Sequence, residues 1–212
     1  IGGQLGRRRC HDADDTWVPD KLAKQFALID SLQDKDVVIY GGSSIFDESG
    51  LVVRCMFDQR KPHDGYVFEK LLYENFLSTH TVVLRRRLFE KAGYFKEGCS
   101  HCEDYDIWLR LAKHFKFYYV NDVIAGYRVH SRQGSADFYK IRNACFAMLD
   151  EVTKDLKNKR LVADALSYQH FQYGCEFKRR GLLRDARQEF QASLSKRFKL
   201  KTLAFFVLTF LR

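Results

Sequence analysis

Apolar positions along this chain change their spacing several times, and the changes mark out its elements. Residues 36–40, Asp-Val-Val-Ile-Tyr, form a short unbroken apolar run that ends at Gly41-Gly42, the pattern of a buried strand entering a turn. A second apolar run at 51–57 is reached through the turn-forming Asp47-Glu48-Ser49-Gly50, so the two predict a hairpin. Earlier, Leu22, Phe26 and Ile29 recur at helical spacing behind Pro19, which predicts a helix with proline in its first turn and those three side chains on its buried face. Val67, Phe68, Leu71 and Leu72 predict another amphipathic helix, residues 79–84 a strand, and residues 85–92 a short helix closed by Gly93. Residues 117–120 and 123–130 read as strands interrupted at Asn121-Asp122. Strands and helices alternate as far as residues 131–135, and beyond them only helical periodicity continues, over about 136–158, 160–180 and 183–197.

These elements are organised around Ser100-His101-Cys102-Glu103-Asp104-Tyr105-Asp106-Ile107-Trp108-Leu109-Arg110-Leu111. At helical period Asp104, Ile107, Trp108, Leu111 and Phe115 share one face, so a carboxylate heads a stripe that otherwise carries buried side chains. An unpaired buried carboxylate is costly, so an acid there either caps the helix or faces a cavity where its charge is used. Ser100 and Glu103 already have the spacing of a capping box, for which Asp104 is not needed. Asp106 and Arg110, one turn apart on the other face, predict a solvated ion pair.

A chain of 212 residues, 46% hydrophobic and 15% aromatic, can bury a sizeable core. Its net charge of +9 suits anionic partners: nucleotide-sugar diphosphates, acidic lipid surfaces or nucleic acid. No stripe of aromatics interleaved with basic residues and no groove-reading helix is present in the sequence, so nucleic acid is set aside as a partner. The six cysteines are scattered except for Cys99-Ser100-His101-Cys102, and with no recognisable leader they predict reduced thiols in the cytoplasm. That lone C-x-x-C lacks a second pair at zinc-ligand spacing. Residues 168–190 carry a faint tetratricopeptide-like hairpin pattern, for which a plain helical appendage is the default. Residues 199–212 are apolar with basic flanks and too short to span a bilayer; they either pack on the protein or lie in the headgroup region of an acidic membrane.

Near the start, Asp12-Ala13-Asp14-Asp15 puts three acids within four residues. Their mutual repulsion is relieved by solvent, by a helix N-terminus, or by a divalent cation held through oxygen, and an acidic cap loop is the plain reading. The picture changes when four segments are taken together. Asp12-Ala-Asp14-Asp15-Thr-Trp17-Val-Pro19-Asp-Lys-Leu22, Asn75-Phe-Leu-Ser-Thr79 leading to Arg86-Arg87 and Gly93-Tyr-Phe95, Glu103-Asp104-Tyr-Asp-Ile-Trp108, and Tyr127-Arg128-Val-His130 follow one another in order. In this arrangement the chain resembles the family 2 glycosyltransferases of the GT-A fold over about residues 12–135.

The resemblance implies an α/β fold: an irregular tail at 1–11, an incomplete GT-A (Rossmann-like) domain at 12–135 and a helical region at 136–212. It implies an inverting transfer of a sugar from a nucleotide-diphosphate donor to a glycan or lipid-linked acceptor, of the kind used in bacterial cell-surface polysaccharide synthesis. Asp12 then corresponds to a donor contact, Asp14 to a ligand of Mg²⁺ or Mn²⁺ with Asp15 beside it, and His130 to a residue closing the metal or diphosphate site, with Arg128 on the donor side. Asp104 corresponds to the general base, with Glu103 next to it and Thr79 and Trp108 on the acceptor side, although Trp108 also reads as the core anchor of its helix. Asp14, Asp104 and His130 are expected to converge on one cleft. In the family a buried strand runs into the acidic motif, yet Arg7-Arg8-Arg9-Cys10-His11 stands there, and a central parallel strand should be a continuous apolar run. The chain is therefore expected to be the C-terminal part of such an enzyme and to bind nucleotide-sugar poorly alone. The expected location is cytoplasmic, peripheral on the plasma membrane if the C-terminal segment takes lipid. A non-catalytic module whose basic helical tail docks a membrane or protein remains the alternative.

Overall fold

The computed structural model describes residues 15–47, 49–55, 62–96, 101–129 and 137–210. The predicted tail at 1–11, Asp12, Asp14, Cys99, Ser100 and His130 lie outside the described residues. The described strands are β1 (Thr16–Trp17), β2 (Val37–Phe46), β3 (Val52–Cys55), β4 (Val83–Leu84) and β5 (Lys116–Arg128). The helices are α1 (Lys21–Ser31), α2 (Phe68–Tyr73), α3 (Leu88–Ala92), α4 (Glu103–Ala112), α5 (Phe138–Thr153), α6 (Lys159–Arg179), α7 (Leu183–Lys196) and α8 (Leu200–Val207). Together they make a mixed α/β, GT-A-like architecture with a helical C-terminal part.

The chain divides into two compact units. The first comprises residues 1–67, 76–94 and 111–136, and the second 68–75, 95–110 and 137–212. The first holds one sheet, ordered β1-β5-β2-β3, with β4 also paired to β2. β2 runs parallel to β5 and antiparallel to β3 and β4. Val37, Val38, Ile39 and Tyr40 are fully buried, as an apolar run covered on both faces must be. The expected hairpin of the first two runs is the β2–β3 pair.

Four local readings are corrected by the structure. Gly41-Gly42 is not a turn: β2 continues through it to Phe46. The glycines are there for close approach, since a Cβ on Gly41 would lie 2.5 Å from Ile124 Cδ1 and one on Gly42 2.6 Å from the Asp122 carbonyl oxygen. Asn121-Asp122 does not interrupt the strand either; β5 runs unbroken for 13 residues, and the register against β2 shifts beside Gly42 as at a bulge. Of the predicted 79–84 strand only Val83–Leu84 pairs as a strand, because Thr79–Thr81 is a 3-10 turn. The fourth correction concerns α1, whose buried face is Lys21, Gln25 and Ile29, while Leu22 and Phe26 are exposed. A Gly42→Ala protein is expected to lose about 1–3 kcal/mol of stability, because backbone rather than a flexible side chain stands in the way. Denaturant titration checks this, and Gly50→Ala is not the control to use, since φ there is +85°.

The second unit is helical. α6 and α7 form a hairpin turned at Gly181, whose φ of +79° favours glycine. Phe177, Ala186 and Phe190 are its buried core, and Gly174 lies so close to Phe190 that an added Cβ would stand 2.6 Å from Phe190 Cε1. Ser167 and Ser193 close the hairpin with reciprocal bonds, Ser167 Oγ donating to the Ser193 carbonyl at 3.0 Å and Ser193 Oγ to the Ser167 carbonyl at 2.7 Å.

Candidate active site

In the first unit the short strand β1 pairs with the far end of β5, Thr16 opposite Gly126 and Trp17 opposite Ala125. Gly126 is required there, because a Cβ would meet Thr16 Oγ1 and Phe46 Cε1, each at 2.7 Å. This pairing delivers Asp15, the last acid of the acidic run, to the Arg128 backbone, whose N–H donates to Asp15 Oδ1 at 3.3 Å. The Arg128 guanidinium lies over the Phe46 ring, 4.7 Å from its centroid. Asp15 is buried, and its other oxygen, Oδ2, stands 3.4 Å from His80 Nδ1. The opposite ring nitrogen, His80 Nε2, is 2.7 Å from Ser43 Oγ. The His80 ring also stacks on Tyr127, with planes 11° apart and centroids at 5.9 Å.

α1 locks the turn that carries His80. Trp17 Nε1–H donates to the His80 carbonyl at 2.9 Å, Gln25 Nε2 donates to the Thr81 carbonyl at 2.7 Å, and Lys21 Nζ donates to Gln25 Oε1 at 2.7 Å while lying 4.3 Å from the Trp17 ring centroid. These bonds explain the corrected face of α1. Gln25 is turned inward because the Thr81 carbonyl needs a donor, Lys21 follows it to satisfy Gln25 Oε1, and the apolar Leu22 and Phe26 are left outside. Lys21 is only 1% exposed, and burial pushes its ammonium down to about 8 from 10.5. Below about pH 8 the lysine is charged in folded and unfolded chains alike, and the fold bears the full burial cost. Between about 8 and 10.5 the folded chain releases the proton while the unfolded chain keeps it, so stability rises with pH in that window. Against a Lys21→Met protein, wild type should therefore gain up to about 3 kcal/mol from pH 7 to pH 10.5, read by urea midpoints at each pH.

In the second unit, Glu103 is the first residue of α4 and exposed, and Asp104 follows it, half-buried. Asp104 Oδ1 accepts the Tyr105 backbone N–H at 2.6 Å. The first turn of α4 carries Glu103, Asp104 and Asp106, where the helix N-terminus favours negative charge. Trp108 is 1% exposed, edge-on to Phe95 at 6.5 Å, a place that suits a core anchor and leaves no ring face for a sugar. Ile107, Trp108 and Leu111 are buried as the stripe predicted.

The Asp106–Arg110 pair is not solvated. Asp106 is fully buried, its Oδ2 accepting Arg110 Nε at 2.9 Å and Nη2 at 2.7 Å, while Oδ1 stands 3.2 Å from Lys96 Nζ. Lys96 in turn pairs with Glu151 at 2.7 Å, tying α4 to α5. Thr79 heads the 3-10 turn and is half-buried. Cys102 is buried, with its Sγ 3.8 Å from the Ile141 carbonyl oxygen.

Among the described residues no group of three or more His, Cys, Asp or Glu side chains is arranged to hold a cation. Asp15 has both oxygens turned to protein partners. The described residues therefore do not by themselves fit a Mg²⁺ or Mn²⁺ ion, and the two expected ligands, Asp14 and His130, lie outside them.

Comparison with known proteins decides the family. Residues 10–179 match the family described as Glycosyltransferase like family 2. The chain belongs to that family. An uncharacterized glycosyltransferase of Rickettsia prowazekii (strain Madrid E) is 29% identical over 126 residues, covering 57% of this chain and 38% of the relative. One from Rickettsia felis is 24% identical over 155 residues, covering 70% of this chain and 25% of the relative. The amylovoran biosynthesis glycosyltransferase AmsB of Erwinia amylovora is 26% identical over 188 residues, covering 87% of this chain and 59% of AmsB. The matched part of this family 2 chain thus spans 38% or less of the length of the two Rickettsia relatives.

His80, Ser43, Lys21 and Gln25 join the site without having been expected from the sequence. Lys21, Gln25 and Ile29 do stand at i, i+4 and i+8, so helical spacing was present, but two polar side chains hid it. His80 lay in a segment that read as an ordinary strand.

Proposed function

We propose that this family 2 glycosyltransferase is an inverting hexosyltransferase. It moves a sugar from a nucleotide-diphosphate donor to a hydroxyl of a glycan or lipid-linked acceptor in the assembly of a cell-surface polysaccharide. The observation that carries the proposal is the family match across residues 10–179, which includes both the acidic run and the Glu103-Asp104 segment at the head of α4. AmsB, named for amylovoran biosynthesis, supports the polysaccharide context.

In this reading Asp104 takes the proton from the acceptor hydroxyl. The acceptor oxygen forms a bond to the anomeric carbon from the face opposite the diphosphate, the carbon–oxygen bond to the diphosphate breaks, and the configuration inverts in one displacement. The α4 N-terminus favours the ionised carboxylate that a base must be. Glu103 adds a second, exposed acid beside it. Asp12 and Asp15 belong to the donor-binding run, with Arg128 on its flank, and Thr79 lies on the acceptor side. Asp14 and His130 are the residues that would hold Mg²⁺ or Mn²⁺, and the bound ion would neutralise charge on the departing diphosphate. Isothermal titration of the intact protein with UDP-, GDP- and dTDP-linked hexoses tests the donor assignment. Binding that needs Mn²⁺ or Mg²⁺ and is lost in Asp14→Ala is expected, and metal-independent binding unaffected by that change would contradict it.

The C-terminal helix supports a peripheral membrane location. α8 buries Thr202 and the adjoining Thr209, which are 2% and 1% exposed, and turns Leu200, Ala204, Val207 and Leu208 outward at i, i+4, i+7 and i+8. Arg187 fastens this inside-out arrangement, its Nη2 donating to the Thr209 carbonyl at 2.6 Å. Phe198 and Phe210, 65% and 55% exposed, extend the apolar face at either end, and Lys196, Arg197, Lys199 and Lys201 flank it. An apolar face rimmed with cations fits an anionic phospholipid surface on the cytoplasmic side of the plasma membrane, each cation near the surface contributing about 1 kcal/mol. The expected result is sedimentation with phosphatidylserine vesicles at low salt, lost in Leu200→Glu/Val207→Glu. No sedimentation with these vesicles would contradict the location.

A further inference from the structure

The chain has two tryptophans, and the structure gives them opposite settings. Trp108, expected on the acceptor side, is 1% exposed in its core, whereas Trp17 on β1 is 42% exposed. A single exposed aromatic is ordinary on a protein surface. Trp17 differs in how firmly its ring is held. Pairing of β1 with β5 sets its backbone opposite Ala125, its Nε1–H donates to the His80 carbonyl at 2.9 Å, and Lys21 Nζ lies over the ring, 4.3 Å from the centroid. Lys21 is itself 1% exposed, so the face it covers is closed to solvent, and the exposed part of the indole is the opposite face and its rim. Gln25 completes the support, accepting from Lys21 and donating to the Thr81 carbonyl. Buried polar groups thus hold one face of a large ring still while the other meets water.

We propose that Trp17 is the stacking platform for a sugar ring of the acceptor, the part that the resemblance assigns to Trp108. One indole face matches one pyranose ring, whose axial C–H groups make an apolar face while its hydroxyls lie round the edge. The place fits as well. The Nε1–H bond fastens the indole to the turn Thr79–Thr81, so Trp17 shares its support with Thr79, the residue read as lying on the acceptor side. A ring fixed before the ligand arrives loses little conformational freedom on binding, which a contact as weak as sugar on indole requires. The inference rests on the reading of this chain as a sugar transferase with Thr79 on its acceptor side, and adds to that reading the contact for the acceptor sugar.

The test combines saturation-transfer NMR with acrylamide quenching of tryptophan fluorescence, on the intact protein with the methyl glycosides of glucose, galactose, mannose and N-acetylglucosamine. Trp108 is shielded in its core, so quenching reports Trp17. At least one glycoside should receive saturation at its ring C–H protons and protect Trp17 from the quencher. Affinity for that glycoside should fall about tenfold or more in Trp17→Gln, which keeps an N–H donor for the His80 carbonyl and removes the ring. It should fall less in Trp17→Phe, which keeps a ring without the donor. Saturation of none of the glycosides, quenching unchanged by a bound glycoside, or equal affinity in Trp17→Gln would each overturn the platform. Should Trp17→Gln not fold, quenching of the wild type decides: protection supports the platform and its absence overturns it. Calorimetry with UDP-, GDP- and dTDP-linked hexoses separates this inference from the reading beneath it. Their affinity should be the same in wild type and Trp17→Gln, and a loss of donor affinity with glycoside binding kept would overturn the acceptor assignment. Failure of the platform with donor binding intact leaves the transferase reading standing, whereas donor binding absent from the wild type would overturn that reading itself.

Discussion

Replacing Asp106 with alanine should cost about 3 kcal/mol of folding stability, a large share of what holds a domain of this size together. The carboxylate is fully buried and accepts two bonds from Arg110 while standing 3.2 Å from Lys96. Removing one partner of a buried pair leaves the other charges uncompensated, which typically costs about 3–5 kcal/mol. The low end applies because the Arg110 and Lys96 side chains are 18% and 35% exposed, so water recovers part of their solvation. The Lys96 bridge to Glu151 raises the stakes, since it joins α4 to α5. In urea the midpoint should fall with the slope unchanged, and Asp106→Asn, which keeps an acceptor, should lose less. A loss within a few tenths of a kcal/mol for Asp106→Ala would restore the solvated pair that spacing alone predicted.

That contrast shows how far the sequence could be read. The i, i+4 spacing correctly paired Asp106 with Arg110, but spacing within a helix does not say which side meets a neighbour, and Lys96 and Glu151 come from elsewhere in the chain. The same holds for α1. Its period was legible, yet the inward face was assigned to Leu22 and Phe26 because apolar residues are expected inside, whereas the Thr81 carbonyl drew Gln25 inward and Gln25 Oε1 drew Lys21 after it. Gly41-Gly42 and Asn121-Asp122 carried ordinary turn chemistry, and only the strand pairing reveals that each pair accommodates the other. α2 and α4 belong with the C-terminal helices in one unit, which an alternation of strand and helix patterns cannot show, because local periodicity carries no information on distant partners.

The strongly patterned parts were legible: the buried run of β2, its hairpin with β3, the Gly93 closure of α3 and the three long C-terminal helices. The family was legible too, from four short motifs in order, and residues 10–179 match it. Of the candidate site, residue types and their order were legible, whereas the support beneath them depends on contacts between distant segments that no local pattern records. Asp15 was read as one of three acids competing for a cation or cap, and the structure places it in a buried cluster with His80 and Ser43.

The second large effect concerns Asp104. Proton transfer by a positioned group contributes about 10²- to 10⁴-fold to a rate, so replacing a general base by its amide should remove most of that acceleration. Asparagine keeps the shape of the side chain and an acceptor for the Tyr105 N–H, and Asp104 is only half-buried, so the fold should be untouched. Donor binding should also be untouched, because the base acts on the acceptor hydroxyl. This separates the catalytic reading from a binding module, in which Asp104 would be one more helix-terminal acid and its amide would have no consequence for any rate. The deciding measurement is therefore kcat for sugar transfer by Asp104→Asn and wild type, on the intact protein, beside donor affinity and thermal melting. For Asp104→Asn kcat should fall by about a hundredfold or more with donor affinity and melting temperature unchanged, whereas an undiminished kcat would leave Asp104 no part in proton transfer.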